Sequence, residues 1–257
     1  MSKIAVVGSL SYDLVMQVPR RPQVGETIIG TAFNTFVGGK GNNQALAAAR
    51  SGAEVVFVGK VGKDNFGDQI ANKLTETGVN IEFLFRDNEV STGIADILVD
   101  ANGDNSISIA PQANARLSTA DIDTAKSAIG NCKLMLMQLE IPIATVLHAA
   151  KLGKELGLMV VLNPAPAPSD GLPDELLKSV DLIIPNQTEA ELLTGIKVVD
   201  ILSAIDAAKA LQNKGINQVI ITMGEMGALL VSGDSTAHVC PAFEVEVKDT
   251  TAAGDAF

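Results

Sequence analysis

The chain has 257 residues, of which 47% are hydrophobic and 4% aromatic, with no tryptophan. That length suffices for one large α/β domain, whose core must be built from Ala, Val, Ile and Leu. The net charge of −11 and the pI of about 4.6 argue against a broad basic face for nucleic acid or anionic lipid.

No stretch of the sequence indicates membrane insertion or secretion. The longest uncharged stretch, residues 156–169, is interrupted by three prolines and is shorter than the roughly 20 apolar residues of a membrane span. The N-terminal residues lead directly into a strand pattern without the features of a signal peptide. Cys132 and Cys240 each stand beside an apolar run, and we expect two buried free thiols. These features favour a cytoplasmic protein.

Short apolar runs alternate with helical patterns along most of the chain, which predicts a mainly parallel sheet covered by helices on both faces. The predicted buried strands are residues 4–8, 55–58, 134–138, 159–162, 182–184, 218–222 and 228–231. The predicted helix caps are Asp64 with Gly78, Ser118 with Asp121, and Thr188 with Glu191, and the predicted helix ends are Gly195 and Gly215.

Two regions break this alternation because their strand patterns follow one another without helices. They cover residues 14–18 with 26–36, and residues 92–99 with 106–109, and Asn102-Gly103 gives the second pair a hairpin turn. We expect a small separate sheet, within residues 11–36 and 91–110, that forms a lid over a site at the strand ends. No linker separates independent domains, so residues 1–257 are expected to form one domain.

A glycine-rich segment, GGKGNNQ at residues 38–44, precedes an Ala-rich helical pattern. Glycines allow the backbone to approach a ligand closely, but such a turn before a helix is more often structural. The segment is not a Walker A loop, since Lys40 is followed by Gly41, and no dinucleotide-binding fingerprint follows the first strand.

A second small-residue segment, DTTAAGD, occupies residues 249–255. Its small residues before Asp255 predict a helix N-terminus whose unpaired N–H groups favour phosphate oxygens. Asp255 could then accept a proton from an attacking hydroxyl. Taken alone, the same pattern is typical of an ordinary helix cap.

Together, the two segments resemble the paired signatures of the ribokinase-like (pfkB) carbohydrate kinases. The resemblance extends over nearly the whole chain. It includes GSLSYD at 8–13, PQVGET at 22–27, QLE at 138–140, LNPAPA at 162–167 and NQTEAE at 186–191. It implies the three-layer α/β/α fold of that family, with a small β-sheet lid, and the ATP-dependent phosphorylation of D-ribose at O5.

The resemblance also implies roles for residues near the phosphates. Asp255 matches the catalytic base, and the backbone N–H groups of Ala252, Ala253 and Gly254 match the anion hole for the transferring phosphoryl group. Asn186 and Glu189 match a motif that places Mg²⁺ and the phosphates, although Glu189 could simply complement the dipole of its helix. Thr222 and Gly224 match nucleotide-contacting residues, or else an ordinary strand exit.

For the sugar, the resemblance implies binding by Ser11, Asp13, Gly39, Lys40, Asn43, Glu140 and Asp255. Asp249 and Thr251 match part of a loop that binds K⁺. Carboxylate and amide side chains suit sugar binding because each can pair two vicinal hydroxyls. Bacterial members hold Asn where this chain has Ser11, followed by Tyr12, which leaves the choice of pentose open.

Alternatives remain within and outside this class. A kinase for another small sugar or for a nucleoside fits the same motifs, and a catalytically silent sugar- or nucleotide-binding module fits most of them. Family members form homodimers through the lid strands, which we also expect here. Only Ala256 and Phe257 follow Asp255, whereas the family continues with further helices, so the chain is expected to be a fragment of a longer kinase.

Overall fold

The computed structural model describes residues 2–234, 236–246 and 250–257. Within these residues the strands are β1 (Lys3–Val7), β2 (Ser11–Gln17), β3 (Ala32–Gly38), β4 (Glu54–Gly62), β5 (Asn80–Asp87), β6 (Gly93–Val99), β7 (Asn105–Ala110), β8 (Leu134–Met137), β9 (Met159–Leu162), β10 (Leu182–Ile183), β11 (Gln218–Thr222), β12 (Ala228–Val231) and β13 (Ala237–Cys240). The α-helices are α1 (Lys40–Arg50), α2 (Asn65–Glu76), α3 (Thr119–Ile129), α4 (Ile143–Glu155), α5 (Asp174–Lys178), α6 (Gln187–Thr194), α7 (Ile201–Gln212) and α8 (Ala253–Ala256). Short 3₁₀ turns cover Gln112–Arg116 and Gly224–Met226.

The large sheet has the order β13-β12-β11-β10-β9-β8-β1-β4-β5. Its neighbouring strands are parallel from β11 to β5, and β12 and β13 add two antiparallel pairings at one edge. Buried parallel strands need apolar side chains on both faces, which the runs in the sequence provide. The predicted mainly parallel sheet is therefore confirmed.

Helices cover both faces of this sheet. In β1, Ala5 and Val7 pack in one core cluster with helices α3 and α4, whereas Val6 packs in a second cluster with α1 and α2. Successive residues of a strand point to opposite faces, so the two clusters lie on opposite sides of the sheet. This arrangement is the three-layer α/β/α architecture that the sequence predicts.

The small sheet has the order β3-β2-β6-β7, and only β2 and β6 pair in parallel. It contains the four strand patterns that the sequence separates from the alternating core. The third residue of β2 is Asp13, which pairs with Phe36 on one side and with Ala95 on the other. The sheet thus carries Asp13 on the face of Phe36 and Ala95.

Several local expectations hold. Asp64 caps α2 by accepting a hydrogen bond from the Gly67 N–H at 2.8 Å, and the capping box of Ser118 and Asp121 begins α3. Gly195 ends α6 in the left-handed conformation, with φ 75°.

Other expectations are wrong. The capping box of α6 is formed by Asn186 and Glu189 rather than Thr188 and Glu191, because the helix begins at Gln187. Helix α7 ends at Gln212, before Gly215. Cys240 is exposed on the edge strand β13, whereas Cys132 is buried as expected. All four residues of β13 are exposed, so this apolar run does not contribute to the core.

No helix in the described part of the chain has the length and apolar character needed to cross a membrane.

Candidate active site

Helix α1 begins at a backbone turn that only glycine accommodates. Gly39 has φ 91°, and a Cβ at this position would lie 2.7 Å from the Cα of Leu10. A side chain is therefore excluded both by the left-handed conformation and by the close approach. The next residue, Lys40, donates its backbone N–H to Oε2 of Glu140 at 3.1 Å. The turn thus places the first residues of α1 beside the segment that follows β8.

Side-chain hydrogen bonds from Asn43 and Gln44 to Asp255 join the two motif segments. Asn43, in the first turn of α1, donates from Nδ2 to Oδ2 of Asp255 at 2.9 Å across 212 residues of sequence. Burial raises the pKa of Asp255 above its ordinary value. The hydrogen bond from Asn43 and the charge of Lys40 lower this pKa in part, whereas the charge of Glu140 raises it. Asp255 is thus a half-buried carboxylate whose basicity is increased by its surroundings.

A polar cavity of about 190 Å³ lies on one side of Asp255. Lys40, which begins α1 after β3 of the small sheet, lines this cavity. Its other lining residues end or follow strands of the large sheet: Asn163, Ala165, Ile184, Asn186, Glu189, Thr222, Thr250, Ala252, Ala253, Gly254 and Asp255. Ligands bind outside the carboxyl ends of parallel strands in open α/β sheets. The predicted phosphate-binding residues are therefore brought together in one cavity.

The backbone of the small-residue segment makes its own turn at this cavity. Ala252 is left-handed, with φ 58°, and the N–H of Ala253 donates to the carbonyl of Thr250 at 3.2 Å. Of the three amides expected to form an anion hole, that of Ala253 is therefore engaged within the turn. Ala252 and Gly254 also line the cavity.

Asn186 and Glu189 hold each other in the capping box of α6. The Asn186 N–H donates to Glu189 Oε2 at 2.9 Å, and the Glu189 N–H donates to Asn186 Oδ1 at 2.8 Å. Burial raises the pKa of Glu189, while the hydrogen bond from Asn186 and the charge of Lys40 lower it. The cap role and a role at the cavity coexist, since both residues line the cavity.

A largely apolar cavity of about 390 Å³ adjoins the polar one. Thr222, Ala253 and Gly254 line both cavities, and Gly224 and Phe243 line the apolar one. Apolar walls beside a polar cavity suit a flat heterocycle attached to phosphates. Thr222 is fixed there by its N–H, which donates to the carbonyl of Pro185 at 3.0 Å.

A third cavity, of about 590 Å³, lies beneath the small sheet and shares Ala252 with the polar cavity. Asp13, Asn43 and Thr251 line it. Ser11 donates from Oγ to Oδ1 of Asp13 at 2.7 Å. Burial raises the pKa of Asp13, the hydrogen bond from Ser11 lowers it, and the charge of Glu140 raises it.

Ser11 and Glu140 line a neighbouring cavity of about 440 Å³, whose other walls are mostly apolar. Glu140 also accepts a hydrogen bond from Ser9 Oγ at 2.5 Å. The predicted sugar-binding side chains therefore line three cavities rather than one, since Lys40 and Asp255 line the polar cavity. Ser11 and Glu140 line the cavity with apolar walls, whereas Asp13 and Asn43 line the cavity beneath the small sheet.

Comparison with known proteins agrees with this geometry. A sequence profile of the pfkB family carbohydrate kinases matches residues 1–257. The chain belongs to the pfkB carbohydrate kinase family. It is 43% identical to the deoxyribokinase of Salmonella typhi over 99% of this chain and 82% of that protein. It is 42% identical to the ribokinase of Haemophilus influenzae, again over 99% of this chain and 82% of that protein.

Solved structures give the same result. The structure of Arabidopsis thaliana ribokinase complexed with ribose and ATP superimposes with a TM-score of 0.92 at 32% identity, covering 100% of this chain and 83% of that chain. The predicted fold and family are thereby confirmed.

Of the two expected K⁺ ligands, only Thr251 lies among the described residues. Asp249 lies outside the described residues, and Thr251 lines the cavity beneath the small sheet. Among the residues that the structure describes, no group of three or more His, Cys, Asp or Glu side chains could hold a metal ion.

Three amide side chains at this site, all buried or half-buried, were not predicted from the sequence to have a role. Gln138 donates from Nε2 to Gln44 Oε1 at 2.6 Å, and Gln44 donates from Nε2 to Asn163 Oδ1 at 3.2 Å. All three belong to the family motifs, which was the available signal. Phe243 was also missed, because nothing in the sequence pattern near it indicates a cavity wall.

Asp255→Asn should change how stability depends on pH. Since burial raises the folded-state pKa, folding takes up a proton between the unfolded pKa, about 3.9, and the higher folded value. The stabilising effect of this protonation is fully present below the unfolded pKa and is lost as pH rises through the folded pKa. The variant should therefore gain stability relative to wild type above that window, and the gain should shrink as pH falls.

The measurement is the free energy of unfolding by urea denaturation at several pH values. Asp104→Asn, at an exposed position after the hairpin turn, is the matched control and should show no comparable pH-dependent gain in stability. A difference between Asp255→Asn and wild type that does not vary with pH would contradict the assignment of a buried, destabilised carboxylate.

Proposed function

We propose that this chain transfers the γ-phosphoryl group of ATP to D-ribose at O5, giving D-ribose 5-phosphate and ADP. The observation that carries the proposal is the position of Asp255. Its carboxylate lines the polar cavity and is bonded to Asn43, which lines the cavity beneath the small sheet. A phosphate on one side and a hydroxyl on the other would meet at this one side chain.

The three connected spaces match the three parts of the reactants. The apolar cavity suits the adenine, the polar cavity suits the phosphates, and the cavity beneath the small sheet suits the sugar. The relatives named ribokinase and the structure described as holding ribose and ATP support the same assignment. The acidic chain needs no broad basic face, because Lys40 and backbone amides stand at the polar cavity.

In the proposed reaction the sugar O5 attacks the γ-phosphorus, the bond to the β–γ bridging oxygen breaks, and ADP leaves. The proton of the hydroxyl passes to the carboxylate of Asp255. A carboxylate cannot deprotonate a free alcohol outright, but in a loose transition state the proton leaves late and the orientation of the hydroxyl matters most. Asn43 provides that orientation by fixing Oδ2. The amides near Gly254 and the charge of Lys40 stabilise the transferring group.

Mg²⁺ fits the donor set of the polar cavity. It usually keeps several waters and is held by one or two carboxylates together with substrate phosphates, and Glu189 is a carboxylate that lines this cavity. When bound, the ion would neutralise charge on the phosphates. For K⁺, Thr251 and Asp249 are the proposed ligands. The use of ATP also favours a cytoplasmic site of action.

A second candidate substrate is 2-deoxy-D-ribose. The hydroxyl of Ser11 is already donated to Asp13, and the space beside it has mostly apolar walls, including Ala95 and Ile109. A sugar that lacks one hydroxyl would leave no buried donor of this region unpaired. The deoxyribokinase relative supports this alternative.

The small sheet is also proposed to close over the sugar and to mediate a homodimer. Three apolar side chains on its Asp13 face are more than half exposed: Phe36 at 57%, Ile107 at 53% and Ile109 at 58%. The strand register places Phe36 and Ile109 in the row of Asp13, and Ile107 two residues along the same face. An exposed apolar face of this kind is typical of an interface.

The first test is ribose-dependent formation of ADP from ATP, with and without Mg²⁺ and with K⁺ replaced by Na⁺. We expect activity that needs Mg²⁺ and is increased by K⁺. Asp255→Asn should bind ribose but lose turnover by roughly 10²–10⁴-fold, as expected for a general base. ATP turnover that does not depend on any pentose, or normal turnover by Asp255→Asn, would contradict the proposal.

The second test is Ser11→Asn, which should favour ribose over 2-deoxyribose. The longer amide can bond the additional hydroxyl, so the ratio of kcat/KM for ribose to that for deoxyribose should rise by about tenfold. Thr35→Asn on the neighbouring strand β3 is the control, since Thr35 contacts Tyr12 on the opposite face. An unchanged ratio in Ser11→Asn would remove Ser11 from the specificity role.

The third test concerns the homodimer. Sedimentation should give a mass of twice 26.7 kDa for wild type and of the monomer for Ile107→Lys, because a charge in an apolar interface is strongly disfavoured. Leu202→Lys, at a 74% exposed position on α7, should leave the mass unchanged. A monomeric wild type at all concentrations would exclude the homodimer.

A further inference from the structure

Four chain segments connect the large sheet with the small one, and all four approach the backbone of Leu10. Leu10 itself lies in the first crossing, between β1 and β2, and is fully buried. Gly39, in the second crossing between β3 and α1, lies so close that a Cβ would be 2.7 Å from Leu10 Cα. At Gly93, which begins β6 after the third crossing, a Cβ would be 3.0 Å from the Leu10 carbonyl oxygen.

The fourth crossing supplies the polar link. Asn114, which follows β7, is 4% exposed and bonds the Leu10 peptide on both sides. Leu10 N–H donates to Asn114 Oδ1 at 3.0 Å, and Asn114 Nδ2 donates to the Leu10 carbonyl at 2.6 Å. Its side chain therefore pairs with Leu10 as a neighbouring strand would, across 104 residues of sequence. Each polar atom of the amide is bonded to Leu10, although Asn114 also borders the cavity beside Ser11.

The third and fourth crossings are further bonded to each other and to the core. Ala113 N–H donates to the Ser91 carbonyl at 3.1 Å. Thr92 donates from its backbone N–H and its hydroxyl to Asp64, both at 2.7 Å. Asp64 is the N-cap of α2, so this end of the small sheet is fixed to a core helix. Among the described side-chain hydrogen bonds, those to the backbone of Leu10 come from Asn114 alone.

We propose that Asn114 is a positioning residue for the sugar-binding strand. By fixing the Leu10 peptide, it sets the direction in which β2 leaves the core, and therefore where Ser11 and Asp13 stand relative to Asp255. The proposal rests on the proposed function in that the sugar binds against β2. No sequence pattern indicates a role for Asn114, because its partner is the backbone of Leu10.

The first experiment needs no substrate. Hydrogen exchange is compared in wild type, Asn114→Leu, Asn114→Asp and the control Thr145→Val. Thr145 is a second buried tether of the fourth crossing, since its hydroxyl donates to the Leu117 carbonyl at 2.7 Å, but this hydrogen bond does not involve Leu10. Asn114→Leu should accelerate exchange by about tenfold or more at Leu10 and at residues 36–39 and 91–94. Thr145→Val should not.

The second experiment separates positioning from general destabilisation. In steady-state kinetics with D-ribose or 2-deoxy-D-ribose, Asn114→Leu should raise the pentose KM by about tenfold, the effect of losing a buried hydrogen-bonded pair. The KM for ATP should remain that of wild type. Asn114→Asp keeps an acceptor for the Leu10 N–H and should fall between wild type and Asn114→Leu.

Unchanged exchange at the crossings, an equal rise in both KM values, or the same effects in Thr145→Val would overturn the proposal. If Asn114→Leu does not fold, the comparison of Asn114→Asp with Thr145→Val decides by the same two measurements. If wild type phosphorylates neither pentose, the proposed function fails, whereas the exchange result still decides the role of Asn114.

Discussion

The close contact between the backbones of Gly39 and Leu10 is the constraint on which the site depends. It fixes the point at which the chain leaves the small sheet and begins α1. Because α1 begins there, Lys40 reaches Glu140 with its backbone N–H, and Asn43 reaches Asp255 with its side chain. The same contact keeps the crossings packed together. A side chain at residue 39 would therefore disturb the helix, the carboxylate and the small sheet at once.

The electrostatics of the site follow from gathering acidic side chains under cover. Asp13, Glu140 and Asp255 lie near one another, and burial raises the pKa of both Asp13 and Asp255. Charge repulsion from Glu140 adds to each of these shifts, and Lys40 offsets part of it at Asp255. A carboxylate that loses hydration in this way is a better proton acceptor and is costly to the folded state. Stability and basicity are therefore opposed at Asp255.

The sequence predicts the fold well because its signals are local and repeated. Apolar runs, glycine turns and the caps at Asp64 and Ser118 each act within a few residues, and the structure contains them. The strands β5 and β13 were missed: Glu82 and Arg86 interrupt the apolar residues of β5, and β13 has only four residues, all of them exposed. The capping box of α6 was placed two residues late, because Asn186 and Thr188 are both acceptable N-caps. Local pattern alone does not choose between them.

The site required information that no local pattern contains. The bond between Asn43 and Asp255 joins residues 212 apart, and only the family resemblance paired their segments. The chain departs from the bacterial family motif at Ser11 and Tyr12, and only Ser11 lies on the same face of β2 as Asp13. Neighbours on a strand point to opposite faces, and Tyr12 stacks on Phe66 of α2, with ring centroids 4.4 Å apart, and bonds Gln69. Tyr12 therefore lies on the face of β2 that packs against α2. Ser11 donates its hydroxyl to Asp13, so the proposed role of Ser11 in the choice of sugar and the orientation of Asp13 depend on the same hydrogen bond.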